Sequence, residues 1–538
     1  MHRNQSVDVH QFSMIPRAEI PRSGFRIQKA LKTAFDAGYL IPVLCEEILP
    51  GDTLNLKATF FARLATPIFP FMDNLHLDCF FFYVPNRLVW TNWVRMMGEQ
   101  DNPTDTIDYV VPIIESPADG YAIGSLHDYF GLPTVGQVAA GESVTNNALP
   151  LRMYNLIWND WFRDENLQDS VPEHVDDANH DPADYVLLRR GKRHDYFTSC
   201  LPWPQKGDTT AVPLILSGTA PVLPIATSPD NQNIPLFRTA SVATPASIVP
   251  ASGAIAANLQ TSVASSAESW QWTTQTGLQV DLADATANTI NQLRQSFQIQ
   301  RLLERDARGG SRYTEIIRSH FGVISPDARL QRPEYLGGGS TPIAVNPVAQ
   351  TSETSAETPQ GNLAAFSHVV SRNGFSASFV EHGYIIGLVS VRADLTYQQG
   401  MRRHWLRATR YDFYFPVFAA LGEQAVQTQE IYVDGTNSDQ VVFGYQERWA
   451  EYRQWPSEIT GLMRSTAANT IDPWHLAQRF TEAPNLSPAF IEDRPPLERV
   501  LAVGAGAAGQ QLILDCFFDG KMARPMPMYS VPGMIDHF

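Results

Sequence analysis

Four groups of residues in this sequence have types and spacings that could do chemistry. The first is Gly504-Ala505-Gly506-Ala507-Ala508-Gly509, a GxGxxG pattern after the apolar run Val500-Leu501-Ala502-Val503. A dinucleotide loop uses such glycines to bring backbone amides onto a pyrophosphate. It also needs a helix immediately afterwards and an acidic residue about 20 positions further on for the ribose. Here Gln511 to Phe518 alternates like a strand instead. A loop between strands is the better reading, no cofactor is assigned, and an oxidoreductase using NAD or FAD stands as an alternative that calorimetry would detect.

The second group is Glu173-His174, Asp176-Asp177, His180-Asp181 and Asp184. Carboxylates and carbonyls suit a hard cation such as Ca²⁺, but the central glycine and terminal glutamate of an EF-hand are missing. A solvated loop is expected, and no metal is assigned. The third is the basic run Arg189-Arg190-Gly191-Lys192-Arg193-His194, which suits either nucleic acid or a salt-bridge patch between subunits. The fourth is N-terminal: Arg3, Arg17, Arg22, Arg26, Lys29 and Lys32 outnumber Asp8 and Glu19, while Pro16 and Pro21 disfavour helix. Residues 1–38 therefore read as a basic arm whose six cations are candidates for facing DNA, with an ordinary solvated arm as the alternative. HExxH, GxxxxGK[ST] and GxSxG motifs are absent and the histidines are scattered, so no catalytic residues are assigned.

The formal charge of −16 excludes phosphate binding over the whole surface, because counterion displacement needs lysine and arginine. Any contact with nucleic acid must be local. Charged residues make up 18%, below the average of about 25%, and 38 prolines with 11% aromatics favour short strands and many turns. Cys45, Cys79, Cys200 and Cys516 form no CxxC pair and read as reduced core residues of a cytoplasmic product. Met1 to Asp8 has no apolar signal core, and no run of 18 apolar residues occurs, so neither a secretory leader nor a membrane span is expected.

The elements that must position these groups are mostly strands. From Thr53 to Leu64, Leu54, Leu56, Ala58, Phe60, Ala62 and Leu64 fall on one face and polar residues on the other. Leu75, Leu77, Cys79, Phe81 and Tyr83 repeat the pattern opposite His76 and Asp78, and Pro67, Pro70 and Asp73-Asn74 supply the intervening turn. Further strands are expected at 39–48, 211–216, 384–392, 410–415, 440–445, 500–503 and 511–518. Helices are expected at 87–97, at 151–167 with a stripe of Tyr154, Ile157, Trp158, Trp161 and Phe162, and at 284–305 with Ile290, Leu293 and Phe297, before a Gly309-Gly310 stop. The stripes read as core packing.

Strands at both ends of the chain, with a long middle between them, fit a Greek-key or jelly-roll sandwich closed by pairing of N- and C-terminal strands. Residues 208–284 turn into Ala, Ser, Thr, Pro and Val, and between 231 and 280 only Arg238 and Glu268 are charged. Ile248, Val249, Ile255, Leu259, Trp270 and Trp272 there could bury surface against one another or against other copies. Gly337-Gly338-Gly339-Ser340, opening the stretch 337–362, reads as a flexible loop. Eight strands of about six residues leave most of the chain irregular, and long structureless loops are rare in a self-contained domain. Neighbouring subunits would order them.

Longer words carry a resemblance. Leu64-Ala65-Thr66-Pro67, Pro70-Phe71-Met72-Asp73-Asn74, Phe80-Phe81-Phe82-Tyr83-Val84-Pro85-Asn86-Arg87, His194-Asp195-Tyr196-Phe197-Thr198-Ser199, Leu201-Pro202-Trp203-Pro204-Gln205-Lys206-Gly207, Glu304-Arg305-Asp306-Ala307-Arg308-Gly309-Gly310 and Gly444-Tyr445-Gln446-Glu447-Arg448-Trp449 occur in order along the chain. Together they resemble the major capsid proteins of microviruses, in the gokushovirus branch of single-stranded-DNA bacteriophages. The resemblance implies a non-catalytic subunit: one mainly β domain over 1–538, an eight-stranded antiparallel jelly roll with long inserted loops and a few short helices. It also implies a T=1 icosahedral shell of sixty copies around circular single-stranded DNA, assembled in the host cytoplasm. Expected partners are other copies, the genome, a small basic DNA-binding protein, an internal scaffolding protein and a bacterial surface receptor. Residues 208–284 sit where the family places its threefold protrusion, and would contact the host. A stand-alone jelly-roll adhesin or lectin is the competing reading, separable by whether closed shells form.

Overall fold

A computed structural model describes residues 22–102, 104–206, 290–310, 313–322, 331–351, 354, 360–502 and 510–529, together with short strand segments between 219 and 281. Nine strands build the framework: β1 (Ser23–Phe35), β2 (Ile41–Ile48), β3 (Thr53–Leu64), β4 (Leu75–Pro85), β5 (Glu334–Pro342), β6 (Ala344–Ala349), β7 (Leu363–Ser378), β8 (Gly383–Ala393) and β9 (Leu512–Arg524). They form two sheets, in the orders β1-β9-β3-β7-β6 and β5-β4-β8-β2, with every neighbouring pair antiparallel. With β6 set aside as an extra edge strand, each sheet takes two strands from the N-terminal part of the chain and two from the part beyond residue 330. That interleaving is the eight-stranded jelly roll.

The closure is done by the end of the chain. Strand β9 lies between β1 and β3, pairing Phe35 with Leu512 and Leu64 with the same residue, so the first and last framework strands are hydrogen-bonded neighbours. The alternation in β3 turns Leu54, Leu56, Ala58, Phe60, Ala62 and Leu64 into the core, where Phe60 meets Phe518 edge-on at 6.0 Å. Burying each such ring contributes about 1.5–3 kcal/mol, which makes this interior the main source of stability.

Strand β4 departs from its expected one-sided pattern. Leu75, Leu77, Cys79, Phe81 and Tyr83 do enter the sandwich core, but Phe82 and Val84 are equally buried on the opposite side. There they pack under the helix α1 (Leu149–Trp161), with Leu151, Tyr154, Ile157 and Trp158. A sheet covered on both faces reads as a continuous apolar run, as Phe80-Phe81-Phe82-Tyr83-Val84 does. The Tyr154 hydroxyl donates to the Leu40 carbonyl at 2.9 Å and accepts from Leu188 N–H, so the helix is fixed by polar as well as apolar contacts.

Several expectations need correction. Gly337-Gly338-Gly339-Ser340 is not a flexible loop: it belongs to β5 and pairs with Phe81 to Asp78. A side chain at Gly338 would meet the Cys79 carbonyl oxygen at 2.1 Å, so close strand approach, not mobility, requires glycine. Residues 23–35 of the basic arm are an edge strand. Residues 410–415 are not a strand, because a Thr409–Asp412 capping box folds Arg410–Asp412 into a 3₁₀ turn. Among the described residues of the 500–503 run, only Leu501 makes a strand-like bridge, to Pro67. The expected helix 87–97 is two short turns, Asn86–Leu88 and Trp93–Met96. The helix α2 (Ile290–Gly309) ends as expected at Gly310, whose φ of +94° suits glycine, but Phe297 on its stripe is largely exposed and not core. The strand expected at 211–216 lies outside the described residues.

Contacts divide the chain into two units, one comprising 1–204 with 306–538 and the other 205–305. In the second, Thr219–Pro221 pairs with Gln279–Asp281, Phe237–Arg238 with Trp270–Gln271, and Val249–Pro250 with Leu259–Gln260. These ladders nest one inside another, which is the topology of a single long antiparallel excursion.

Candidate assembly surfaces

The N-terminal cations are placed by the edge position of β1. Arg26 meets Asp519 at 3.1 Å and Lys32 pairs with Asp515, both across to β9, while Lys29 meets Glu46 on β2 of the other sheet at 2.8 Å. Arg26 holds the Asp519 carboxyl below its ordinary range through their hydrogen bond. Arg22 bonds the Gly51 carbonyl and the Thr53 hydroxyl, with no carboxylate partner among the described residues. Arg3 and Arg17 lie outside the described residues. Six cations close in sequence thus include three whose charge is matched inside the chain.

The basic run 189–194 is likewise engaged within the subunit. Arg189 lies over the Tyr39 ring at 3.8 Å, Arg190 pairs with Asp78, and Arg193 meets Asp394 at 3.3 Å. Arg392 on β8 reaches the same Asp78 at 2.8 Å. Burial would push the Asp78 carboxyl up, but the Ser340 hydroxyl and the two guanidiniums outweigh it and leave it below its usual range. Burial pushes Lys192 down to about 8 and Asp493 up to about 7. The run is therefore a partly buried bracket, with Arg193 and His194 at its exposed end, joining the loop before residue 200 to β4 and the end of β8.

The acidic, histidine-bearing segment is held by one face of α1. Arg152, Asn155 and Asn159, at spacings of three and four, are almost fully buried. Arg152 donates to the carbonyls of Asp176 and Ala178, Asn155 to those of Pro172 and Asp184, and Asn159 to that of Val171. His174, His180 and Asp184 are drawn together as a result. The Gly504–Gly509 pattern lies outside the described residues, but Leu512–Arg524 after it is strand, so the helix a dinucleotide site requires does not follow.

Sequence reasoning missed two apolar surfaces. On the outer side of the five-stranded sheet, Phe61, Phe366, Val370, Ile513 and Phe517 are exposed, with Val370 directly opposite Phe61. Between residues 405 and 455, Trp405 is 72% exposed, Tyr411 69% and Trp455 80%, beside Phe413, Tyr414 and Tyr452. A cavity of about 330 Å³ opens there, lined by Arg402, Arg403, Arg407, Tyr452 and Trp455 among others. Each arginine has a carboxylate, in Glu458, Glu430 and Glu451 respectively, which leaves the aromatic rings as the distinctive feature. Alternating Phe and Tyr at 411–415 carried the signal, misread as a strand. Of the insertion's candidate residues, Val249, Leu259 and Trp270 fall in its short ladders, while Ile248, Ile255 and Trp272 lie outside the described residues. No helix among the described residues is long and apolar enough to cross a membrane.

The family profile described as "Capsid protein (F protein)" matches residues 13–534. A "Capsid protein VP1" of Bdellovibrio phage phiMH2K is 47% identical, with 98% of each chain covered. The proteins of the same description from Chlamydia phage 1 and Spiroplasma virus 4 are 41% and 38% identical, again over 98% of each chain. With that agreement along nearly its whole length, on a jelly-roll framework, the chain belongs to the phage capsid protein (F protein) family.

Proposed function

We propose that the chain closes into a T=1 icosahedral shell of sixty copies around a circular single-stranded DNA genome. The family is structural and not catalytic, and a capsid protein self-assembles as a component of the virion. The observation that carries the finer reading is the paired apolar surface: a bare sheet face and an exposed aromatic loop cluster on one subunit. Exposed aromatic residues clustered in this way mark surfaces that another copy can cover, and repeated copies in a shell would bury them.

The basic residues at 1–38 face the interior in this reading. Because Arg26, Lys29 and Lys32 already have carboxylates, Arg3, Arg17 and Arg22 carry most of the attraction for DNA. A net charge of −16 per copy repels packaged phosphate, which makes a small basic DNA-binding partner physically sensible. An internal scaffolding protein and assembly in the host cytoplasm follow from the resemblance. The nested excursion between 208 and 284 forms the threefold protrusion and meets the bacterial surface receptor, with Ile248, Val249, Ile255, Leu259, Trp270 and Trp272 packing against neighbouring copies.

Electron microscopy of the expressed chain, alone and with its scaffold, tests the assembly: closed particles of one diameter support it, and persistent monomers or trimers overturn it in favour of an adhesin. Deleting 231–280 should leave shells that no longer attach to the host. Unchanged attachment would remove the protrusion's role.

A further inference from the structure

We propose that His174, His180 and Asp184 form a binding site for a borderline divalent transition metal, Zn²⁺ in the first instance. One ligand atom from each lies within 4.8 Å of the others, and all three side chains are half-buried. His174 Nε2 is 3.0 Å from Asp184 Oδ2. Donors bound to one tetrahedral Zn²⁺ at about 2.0–2.1 Å are about 3.3 Å apart, so this pair already has nearly the edge length of such a site. Two imidazoles with one carboxylate select a borderline ion over Ca²⁺ or Mg²⁺, which prefer all-oxygen shells.

The surroundings are those of a built site. Asp176 Oδ1 lies 2.7 Å from His180 Nε2, so a carboxylate stands ready to take the imidazole N–H behind a metal-bound histidine, with Nδ1 left as that ring's ligand atom. Asp176 is in turn tied to Arg152 at 3.7 Å. The backbone that carries all three ligands is clamped by Arg152, Asn155 and Asn159, which are buried and belong to one helix, so the backbone of the site is ordered before any ion arrives while the rings remain to be turned. The His174 and His180 rings lie face to face, 3.4 Å between centroids and 8° from parallel. A metal must sit in the plane of each ring that binds it. Loading therefore rotates the imidazoles about their ring-bearing bonds into a converging pair, with Asp184 as third ligand and a fourth position open to water.

The test uses the full-length chain, stripped with a chelator and titrated with Zn²⁺. About one equivalent per chain should bind tightly enough to survive gel filtration, and Co²⁺ in its place should give the intense visible bands of a tetrahedral N/O site. His174→Gln and Asp184→Asn should each weaken Zn²⁺ binding by about 10-fold or more, while His404→Gln, elsewhere on the surface, should leave it unchanged. Binding that is equal in all variants, or well below one equivalent in the unaltered chain, overturns the proposal. The stoichiometry of the unaltered chain decides the matter even where a variant fails to fold.

Discussion

The two sheets of the sandwich have opposite outer faces. The chain covers the outer side of the four-stranded sheet β5-β4-β8-β2 itself with α1 and the turns around Trp90, burying Phe82, Val84, Ile386 and Leu388 completely and enclosing the Asp78–Arg392 pair at one end. The five-stranded sheet alternates, and its outer side leaves Phe61, Phe366, Val370, Ile513 and Phe517 in solvent. The first face contributes to folding of one subunit. The second contributes less to that folding, because its rings stay about half exposed, and its apolar character gains most of its value when another surface covers it.

The largest effects should separate these faces. Phe82→Ala should destabilise the isolated subunit by about 3–5 kcal/mol in denaturant unfolding, because it empties a packed interior. Phe517→Ala should move it by no more than about 0.5 kcal/mol and yet impair particle formation. Equal costs for the two would abolish the distinction. Arg392→Ala should cost less, about 1.5–3 kcal/mol, since it removes one charged hydrogen bond from the buried Asp78 while Arg190 still pairs with it.

A pH effect sharpens the same contrast. His127, stacked on Tyr121 at 4.1 Å, is held neutral by burial, its pKa lowered from 6.5 to about 4. The unfolded chain takes up the proton first, so stability present above pH 6.5 should fall progressively as pH drops toward about 4. His127→Phe should flatten that slope in thermal melts recorded across the window. The smallest effect belongs to the exposed edge: Asp519→Asn should leave the melting temperature unchanged while freeing Arg26, which should raise DNA retention in a salt-dependent way if β1 faces the genome.

What could be read from the sequence follows the same physics. Strand β3 was plain because one face is core and the other water. Strand β4 was half-read, since the second layer hid in an unbroken apolar run. Strand β7 was missed because its inward positions include Ala365, Ser367 and Ser371, small or polar residues that show no apolar alternation, although Ser371 bonds Thr341 at 2.8 Å inside the sheet contact. Strand β1 carries an alternation of Phe25, Ile27, Leu31 and Phe35 that its many cations masked, although only Phe35 is fully buried and most of the strand is exposed, and the glycines of β5 resemble a linker until the Cys79 carbonyl beside them is seen. The basic run 189–194 was recognised as charged, but its partners Asp78 and Asp394 lie more than a hundred residues away in the chain. Tertiary pairing of that kind leaves no local trace. The aromatic cluster at 405–455 was hidden for a different reason: a dense run of rings at Tyr411, Phe413, Tyr414 and Phe415 has the composition of a strand, and the 3₁₀ turn at Arg410 to Asp412 shows that it is not one.

Hydroxyl-radical footprinting of assembled particles against dissociated subunits addresses the account most directly. Phe61, Phe517, Trp405, Tyr411 and Trp455 should be strongly protected only in the particle, while Phe82 and Tyr154 are protected in both states. Should the bare sheet face and the aromatic loops react equally in particle and subunit, their apolar surfaces are not what holds the copies together.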